Sequence, residues 1–378
     1  MLLSPAWNLQ LMGPPTAISL FAGCGGDTLG LARAGFRVSG FVENWVPAIQ
    51  SHLANFRDCA PIGAEAGGDI ARIPDAAFEA LRGEVDLLFA GFPCQGFSHA
   101  GKKDPNDARN RLFWEFVRAA ELIQPRWIVG ENVFGLLRRM TDDGRTPVSE
   151  VILRAFKDIG YAMAAPAVLN AADFGVAQRR KRVFFVGSRD GVRFGPPSGN
   201  RRLRVGVRTA VEYAMEGAMP FDPRAVSGEV GAYCESDSAE EPAGRPHPYL
   251  ASKLAAGLVS AGKRISPFHV EVVDLDAPSK TIHSGYRFQP RLFVPLRNPR
   301  GTFLRTFTPR ELARLQGFPE EFQFRGSEVD VITQIGNAVP PPLVSAVARQ
   351  IAVCDGALGE QLSVRTGLRL WAESAPIS

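Results

Sequence analysis

The first half of the chain alternates short apolar runs with stretches whose apolar residues recur at helical spacing. The apolar and β-branched runs predict β-strands, and the helical spacing predicts helices between them. The predicted strands are Ala17–Phe21, Val38–Val42, Val85–Ala90, Arg126–Gly130 and Arg182–Gly187. The predicted helices are the stretch holding Leu29, Leu31 and Ala32, then Asn110–Ile123 and Val148–Ile159. This alternation predicts an α/β fold with a mainly parallel sheet and helices on both of its faces.

The pattern changes near Ser188 and stays irregular to about Pro267, where glycine, proline and charged residues dominate without a clear period. We expect a separate, smaller and irregular domain here. For residues 226–246 a long disordered insert is the alternative. Regular patterns return at Pro278–Ile282, Pro309–Gln316 and Ile335–Gln350.

Composition sets broad limits on the class of protein. Of the 378 residues, 45% are hydrophobic and 22% charged, which suits a globular protein of two or so domains. The net charge of +4 is compatible with a polyanionic partner. The five cysteines include no CxxC pair, which favours a reducing cytosol over a disulfide framework or a zinc site. No apolar run reaches the roughly 18 residues of a membrane span, and no signal peptide is evident, so we expect a cytoplasmic protein.

A glycine-rich loop joins the first predicted strand to the first predicted helix. The loop, Phe21–Gly26, contains three glycines, which let a backbone turn tightly and approach a ligand closely. The helix start offers free N–H groups, and Glu43 at the end of the next strand can accept both hydroxyls of a ribose. Together they indicate an adenosine-containing cofactor on a Rossmann-like sheet, whereas a purely structural turn is the alternative. The loop is not GxGxxG, which weakens a nicotinamide interpretation.

Cys94 follows Pro93 at the end of a predicted strand. A lone cysteine is ordinarily a small buried apolar residue. The polar stretch Ser98–Arg111 that follows favours a mobile flap instead. Its cations could hold phosphate and favour the thiolate form of Cys94. Those cations are Lys102, Lys103, Arg109 and Arg111.

Two further segments carry charge at predicted strand ends. Glu131 ends a buried strand, where a carboxylate is costly unless it is paired or functional. The run Gln178–Arg182 places four consecutive cations just before an apolar strand. Such a run is ordinarily a solvated face, and a phosphate-facing role is the alternative.

These segments resemble, in order, the motifs of the DNA cytosine-5 methyltransferases of bacterial restriction–modification systems, from about residue 16 to residue 352. One such motif can occur by chance, but this many in sequence are specific. The resembling segments are Ala17–Gly26, Glu43, Gly68–Ile70, Pro93–Gln95, Glu131–Val133, Gln178–Arg182, Arg305–Glu311, Gln316–Pro319 and Gln334–Pro340.

The resemblance implies a Rossmann-like, S-adenosylmethionine-dependent methyltransferase sheet with helices on both faces, plus a smaller irregular target-recognition domain. The catalytic domain would cover residues 16–188, completed by 325–355. The target-recognition domain would cover 189–304, with 305–324 as a hinge. Residues 1–15 and 356–378 would be terminal extensions.

The resemblance also implies S-adenosylmethionine as methyl donor and no metal. The family often places a residue that stacks on adenine directly after the ribose-binding acid, but this chain has Asn44 there, followed by Trp45. Either Phe21 or Trp45 could supply the stacking ring. The implied cofactor residues are Phe21, Gly23, Gly25, Gly26, Glu43, Asp69, Ile70, Pro93, Leu112, Asn337 and Ala338.

For catalysis, the resemblance implies that the Cys94 thiolate adds to C6 of cytosine, which makes C5 nucleophilic. Glu131 would hold or share a proton at N3, and burial raises a carboxyl pKa in that direction. Arg182, with Arg180 as a second candidate, would bind the O2 edge or a phosphate. The base must be flipped out of double-stranded DNA, and the irregular domain would read the major groove. The implied DNA-binding residues are Gln95, Ser98, Lys102, Arg109 and Gln178.

We expect a monomer that works alongside a restriction endonuclease. A tRNA cytosine methyltransferase is the nearest rival, but its Cys-Phe-Thr signature is missing from the sequence. A Rossmann dehydrogenase would explain Glu43 but not Cys94. A hydrolase using Cys94 and His99 lacks an evident third group, and a catalytically silent DNA-binding module would leave Cys94 and Glu131 unexplained.

Overall fold

The computed structural model describes residues 13–93, 108–141, 144–262 and 265–366, without the side chains of 108–111 and 363–366. In those residues the α-helices, α1 to α10, are Gly26–Arg33, Val46–Asn55, Asp75–Glu79, Ala108–Ile123, Val148–Asp158, Pro248–Ala255, Pro309–Gln316, Glu328–Asn337, Pro341–Cys354 and Gly356–Thr366. The strands, β1 to β16, are Thr16–Leu20, Arg37–Val42, Ala60–Pro61, Leu87–Ala90, Trp127–Val133, Ala162–Met163, Ala167–Asn170, Gln178–Arg179, Lys181–Ser188, Met219–Pro220, Cys234–Glu235, Val259–Ala261, Val270–Val272, Ser279–Lys280, Leu292–Asn298 and Gly301–Arg305. None of these helices is long and apolar enough to cross a membrane.

The chain divides into two compact units. Unit 1 holds the chain up to Asn170, Lys181–Gly199 and the chain from Val339 onward. Unit 2 holds Ala171–Arg180 and Asn200–Ala338. Both the predicted completing segment 325–355 and the basic run Gln178–Arg182 therefore contribute residues to each unit.

The sheet of unit 1 has the strand order β3-β2-β1-β4-β5-β9-β6, with β7 also paired to β9. The pairs from β3 through β5 are parallel, whereas β9 runs antiparallel to β5, β6 and β7. The α/β fold expected from the alternating pattern is confirmed, and the predicted strands of the first half are present. An antiparallel strand needs no helical crossover, so β7 and β9 can pair across one loop.

The core of unit 1 consists of the apolar strand residues and the apolar faces of the helices. Phe113 and Phe116 of α4 pack against Phe156 of α5 with ring centroids 5.9 and 4.9 Å apart. Helix α1 lies against α9 so closely that a Cβ on Gly30 would lie 2.6 Å from the Pro341 carbonyl oxygen. Helix α1 is therefore covered by a segment that lies more than three hundred residues later in the chain.

Unit 2 contains a sheet of order β10-β16-β15-β13-β12, with β11 paired to β15, and a two-stranded pair, β14 with β8. The region proposed as a disordered insert is tied to this sheet. Within it, the Asn298 side-chain amide donates to the Glu240 carbonyl oxygen at 2.9 Å, and Ser236 N–H donates to Arg297 at 3.1 Å. This short, irregular segment is thus held to the sheet by hydrogen bonds, although its sequence has no regular apolar pattern.

The predicted stretch Pro309–Gln316 is confirmed as α7. Thr308 and Glu311 cap it reciprocally, and Gly317 ends it with a φ of 91°. The stretch Ile335–Gln350 is instead divided between α8 and α9. Pro340 lies between them, where a proline favours a new helix start over continuation of the first helix.

Candidate active site at the strand ends of unit 1

Four strands of unit 1 end at one edge of the sheet. Leu20 at the end of β1 is in register with Val42 of β2 and Ala90 of β4, and Ala90 is in register with Gly130 of β5. The residues that follow these strand ends are therefore brought to the same edge. Ligands of open α/β sheets bind at such edges.

The glycine loop begins with a residue in an unusual conformation. Phe21 has a φ of 56°, which is uncommon for a residue other than glycine and is held in place by its surroundings. Ala22 N–H donates to the Val42 carbonyl oxygen at 3.1 Å, and Gly25 N–H donates to Ala22 at 2.9 Å. Gly23 and Gly25 have φ values of 54° and 96°, which favour glycine. The loop is thereby fixed against β2.

Glu43 is held by backbone donors on both carboxylate oxygens. Gly23 N–H donates to Oε2 at 2.9 Å, while Asn44 and Trp45 donate their N–H groups to Oε1 at 2.9 and 2.8 Å. The half-buried carboxylate is thus fixed in one orientation. A Cβ on Gly23 would meet no atom within 4 Å in the described chain, so space is open beside it.

Asp69 is brought close to Glu43 through the glycine before it. A Cβ on Gly68 would lie 1.8 Å from the Glu43 carbonyl oxygen, so only glycine allows this approach. Asp69 caps the short 3₁₀ helix Ile70–Arg72 by accepting from Ala71 N–H at 3.2 Å. Two of the predicted cofactor residues are therefore neighbours in the structure.

Within β5, two residues before its end, Glu131 forms a buried ion pair with Arg182 of β9. Arg182 Nε lies 2.8 Å from Glu131 Oε1, and the two side chains are only 11% and 8% exposed. Glu131 Oε2 lies toward Gly91, since a Cβ there would be 3.7 Å away. The pair therefore borders the loop that leads from β4 toward Cys94.

That loop is fixed to β5 before it leaves the sheet. The Asn132 side-chain amide donates to the Phe92 carbonyl oxygen at 2.9 Å, and the Phe92 ring packs 5.5 Å from Phe113. Pro93 follows directly. Gly91 and Phe92, the residues before Pro93, thus lie beside Glu131 and Asn132.

Several predicted site residues lie outside the described residues. They are Cys94, Gln95, Ser98 and Lys102, and the side chain of Arg109 is also outside. Leu112 is described and packs, half-buried, against the core of unit 1. In the part of the chain that the structure covers, no group of three His, Cys, Asp or Glu side chains could hold a metal ion.

Four further predicted site residues lie in unit 2: Gln178, Arg180, Asn337 and Ala338. The first two make hydrogen bonds within that unit. Arg180, 2% exposed, donates to the carbonyl oxygens of Ile282, Gly336 and Ala338 at 3.0, 2.8 and 3.1 Å. Gln178 is fully buried and donates to Gln316 Oε1 at 2.6 Å. These contacts favour a structural role for both side chains.

Asn337 is the exposed last residue of α8 in unit 2, and Ala338 follows it as the C-cap. The Ala338 carbonyl oxygen also accepts from Gln316 Nε2 at 2.7 Å. A role of these two residues at the cofactor stays a prediction.

A buried polar cluster beneath the glycine loop was missed at the level of sequence. Ser19 Oγ donates to Asp27 Oδ2, and Thr28 Oγ1 lies 2.9 Å from His52 Nε2. Burial raises the pKa of Asp27 from 3.8 to about 7 and lowers the pKa of His52 from 6.5 to about 3. A serine between the apolar residues Ile18 and Leu20 of β1 is the signal that could have found the cluster.

The fold is shared with solved methyltransferase structures. DNMT2 from Spodoptera frugiperda, carrying three substitutions, superposes with a TM-score of 0.63 at 15% identity, covering 89% of this chain and 99% of that one. Dnmt2 from S. pombe superposes with a TM-score of 0.61 at 20% identity, covering 88% and 96%. Unit 1 and its strand-end loops thus belong to a Rossmann-like methyltransferase fold.

The sequence comparisons identify the family. The family model for C-5 cytosine-specific DNA methylase matches residues 16–205 and 258–353, well over half of the chain. The protein therefore belongs to the C-5 cytosine-specific DNA methylases and is a DNA (cytosine-5)-methyltransferase.

Curated relatives match this chain over most of their own length. Type II methyltransferase M.DdeI of Desulfomicrobium norvegicum is 30% identical, covering 89% of this chain and 88% of its own. M1.HphI of Haemophilus parahaemolyticus is 32% identical, covering 89% and 86%. M.Eco47II of Escherichia coli is 33% identical, covering 89% and 78%.

Proposed function

We propose that the protein methylates C5 of a specific cytosine in double-stranded DNA, with S-adenosylmethionine as donor and a covalent bond between Cys94 and C6 of a flipped-out base. The observation that carries this proposal is the buried pair of Glu131 and Arg182 beside the loop that leads into Cys94. A buried charge pair costs desolvation free energy, so its place at the ligand-binding edge of the sheet favours a functional role.

The residues at this edge fit an S-adenosylmethionine molecule. The Glu43 carboxylate is oriented by Gly23 N–H at 2.9 Å, and its oxygens have lone pairs for the two ribose hydroxyls. Open space beside Gly23 lets a ligand approach the backbone. Phe21 and Trp45 remain the two candidates for the ring that stacks on adenine. When bound, the donor supplies an electrophilic methyl group.

The chain's own residues then act on the base. The Cys94 thiolate forms a bond to C6, and the electron pair of the C5–C6 double bond moves into the ring, which makes C5 nucleophilic. Glu131 provides a proton or strong hydrogen bond at N3, while Arg182 holds its Oε1. After C5 is methylated, its proton leaves to water or hydroxide. The electron pair of that C–H bond restores the double bond, and the Cys94 sulfur leaves as thiolate.

The target base must leave the duplex to reach this edge, at a cost of roughly a few kcal/mol. We propose that unit 2 reads the sequence around it, in keeping with the predicted role of residues 189–304. The relatives are named type II methyltransferases. We therefore propose that the methyl group protects DNA from a partner restriction endonuclease.

The covalent step is tested with Cys94→Ser. This variant should lose methyl transfer to duplex DNA by about four orders of magnitude, because a hydroxyl is a far weaker nucleophile than a thiolate. Binding of S-adenosylmethionine should stay within about threefold of wild type. Cys354→Ser, a cysteine in α9, is the matched control and should remain active. Equal activity of Cys94→Ser, or no trapped adduct on fluorocytosine DNA, would contradict the covalent mechanism.

The role of Glu131 is tested with Glu131→Gln. The substitution keeps size and hydrogen bonding but cannot share a proton at N3, so single-turnover methylation should slow by about 10²–10⁴-fold. Cofactor affinity should not change. A mild effect on the rate of the chemical step would show that another residue interacts with N3.

A further inference from the structure

Asp27 is a buried acid next to the glycine loop that the proposed mechanism does not use. It is 3% exposed and lies in the first turn of α1, directly after Gly26. Ser19 Oγ donates to its Oδ2, and Thr28 N–H donates to its Oδ1 at 2.7 Å. No ion pair joins Asp27 to a Lys, Arg or His side chain in the part of the chain that the structure describes.

The side chains around Asp27 do not neutralise it. Burial raises the pKa of the Cys24 and Cys59 thiols, and Cys59 reaches about 12, so both stay uncharged at neutral pH. Burial keeps His52 neutral as well, with a pKa near 3. The immediate surroundings on the loop and on α2 therefore offer hydrogen bonds but no positive charge.

Among the described residues, more distant charges do not compensate Asp27 either. The negative charge of Glu131 on β5 contributes to the raised pKa of Asp27, so the two acids act on each other through the protein interior. Arg349 of α9, the helix packed on α1, donates instead to the Arg33 carbonyl oxygen at 3.0 Å, at the far end of α1. In the part of the chain that the structure covers, the buried acid at the glycine-loop end of α1 thus has no cation beside it.

We propose that the Asp27 carboxylate favours the cationic sulfonium donor over its neutral sulfide product by supplying a countercharge behind the glycine loop. The inference rests on the proposed function, which places S-adenosylmethionine at this edge. Methyl transfer converts the sulfonium into the uncharged sulfide of S-adenosylhomocysteine. In an interior of low effective dielectric constant, attraction between Asp27 and a nearby cation persists over several ångströms. Loss of that cation removes the attraction and weakens product binding relative to donor binding.

The proposal predicts a pH dependence with a definite sign. With a pKa near 7, Asp27 is largely protonated at pH 6 and largely ionised at pH 8. Affinity for the cationic donor should therefore rise with pH across this window, and affinity for the neutral product should not share that rise. The sulfonium charge lowers the pKa of the donor's α-amino group relative to that of the product, so the titration of each free ligand is measured separately and subtracted.

The experiment is calorimetric titration of the full-length protein with S-adenosylmethionine and S-adenosylhomocysteine at pH 6, 7 and 8. In wild type, the ratio of the product's Kd to the donor's Kd should increase about threefold to tenfold from pH 6 to pH 8. In Asp27→Asn, this ratio should not change with pH. Asp86→Asn is the matched control, since Asp86 is half-buried, accepts from Thr16 N–H at 2.7 Å and precedes β4 at the opposite sheet edge. It should retain the wild-type slope.

A second measurement needs no variant. Titration at pH 7 in two buffers of different ionisation enthalpy gives the protons released on binding, and the donor should release up to about half a proton more than the product. A flat wild-type ratio, or an unchanged slope in Asp27→Asn, would overturn this inference and leave the proposed function intact. Binding of neither ligand at any pH would overturn the proposed cofactor and this inference with it.

Discussion

The end of β5 and the first turn of α1 each place an acid in the interior of unit 1, but they treat its charge differently. Glu131 lies 2.8 Å from the Arg182 guanidinium, whereas Asp27 has a hydroxyl and its neighbour's N–H as partners. An ion-paired carboxylate has a cation that stabilises its charge in place. A buried carboxylate without one can gain or lose a proton near neutral pH. One sheet edge thus combines an acid beside a cation with an acid that has no cation beside it among the described residues.

The largest expected effect comes from removing the cation of the fixed pair. Arg182→Ala leaves Glu131 buried without its partner, so the free energy of unfolding should fall by about 3–5 kcal/mol. Methyl transfer should fall by at least about 10²-fold, because the carboxylate loses its orientation. Urea unfolding and methyl incorporation into DNA measure the two effects.

Arg193→Ala is the control for this substitution, because Arg193 is an exposed arginine of the same unit. Combining Arg182→Met with Glu131→Leu should recover much of the lost stability but none of the activity. Full activity in Arg182→Ala would show that the pair serves packing alone.

The next effect concerns Glu43, an acid held by backbone N–H groups instead of a cation. In Glu43→Gln, the amide NH₂ would face one of the donors from Gly23, Asn44 or Trp45, so the side chain should turn away. The Kd for S-adenosylmethionine should rise about tenfold or more, with little change in the chemical step at saturation. Glu65→Gln, at an exposed site, should bind normally. Unchanged affinity in Glu43→Gln would remove Glu43 from the cofactor site.

The smallest effect is on stability at the titratable acid. The folded pKa of Asp27 lies near 7, above its ordinary value of 3.8, so the folded state binds the proton more tightly. The free energy of unfolding of the wild type should therefore fall as the pH rises from 3.8 to about 7. Asp27→Asn removes that dependence, so its stability relative to wild type should improve by on the order of 1–3 kcal/mol from pH 5 to pH 8.

Thermal unfolding at several pH values checks this prediction, with the exposed Asp58→Asn as control. A variant whose relative stability does not change with pH would mean that Asp27 is not titrating in the folded protein. That result would also remove the basis of the proposed charge discrimination.

The sheet of unit 1 could be predicted from sequence because its central strands are buried on both faces and appear as uninterrupted apolar runs. The glycine loop, Glu43 and Glu131 could be found because each follows such a run directly. The ion pair could not be predicted, because it depends on the antiparallel register that aligns Val133 with Arg182. The sequence alone does not specify that register.

The sheet of unit 2 was not predicted, because strands such as β10 and β11 have only two residues each and show no period. Asp27 was missed for a different reason. An acid in the first turn of a helix is ordinarily a solvated residue that complements the helix dipole. Its low exposure and its hydrogen bond with Ser19 of β1 show that this one faces inward.

The packing of α1 against α9 has a consequence for synthesis. Helix α1 carries the glycine loop near the start of the chain, yet the surface that covers its Gly30 is formed by Pro341 and Val344. A ribosome releases the first segment long before it has made the second. The nascent glycine loop therefore lacks this support until nearly the whole polypeptide has emerged, and a chain truncated before α9 should be recovered mainly as insoluble material.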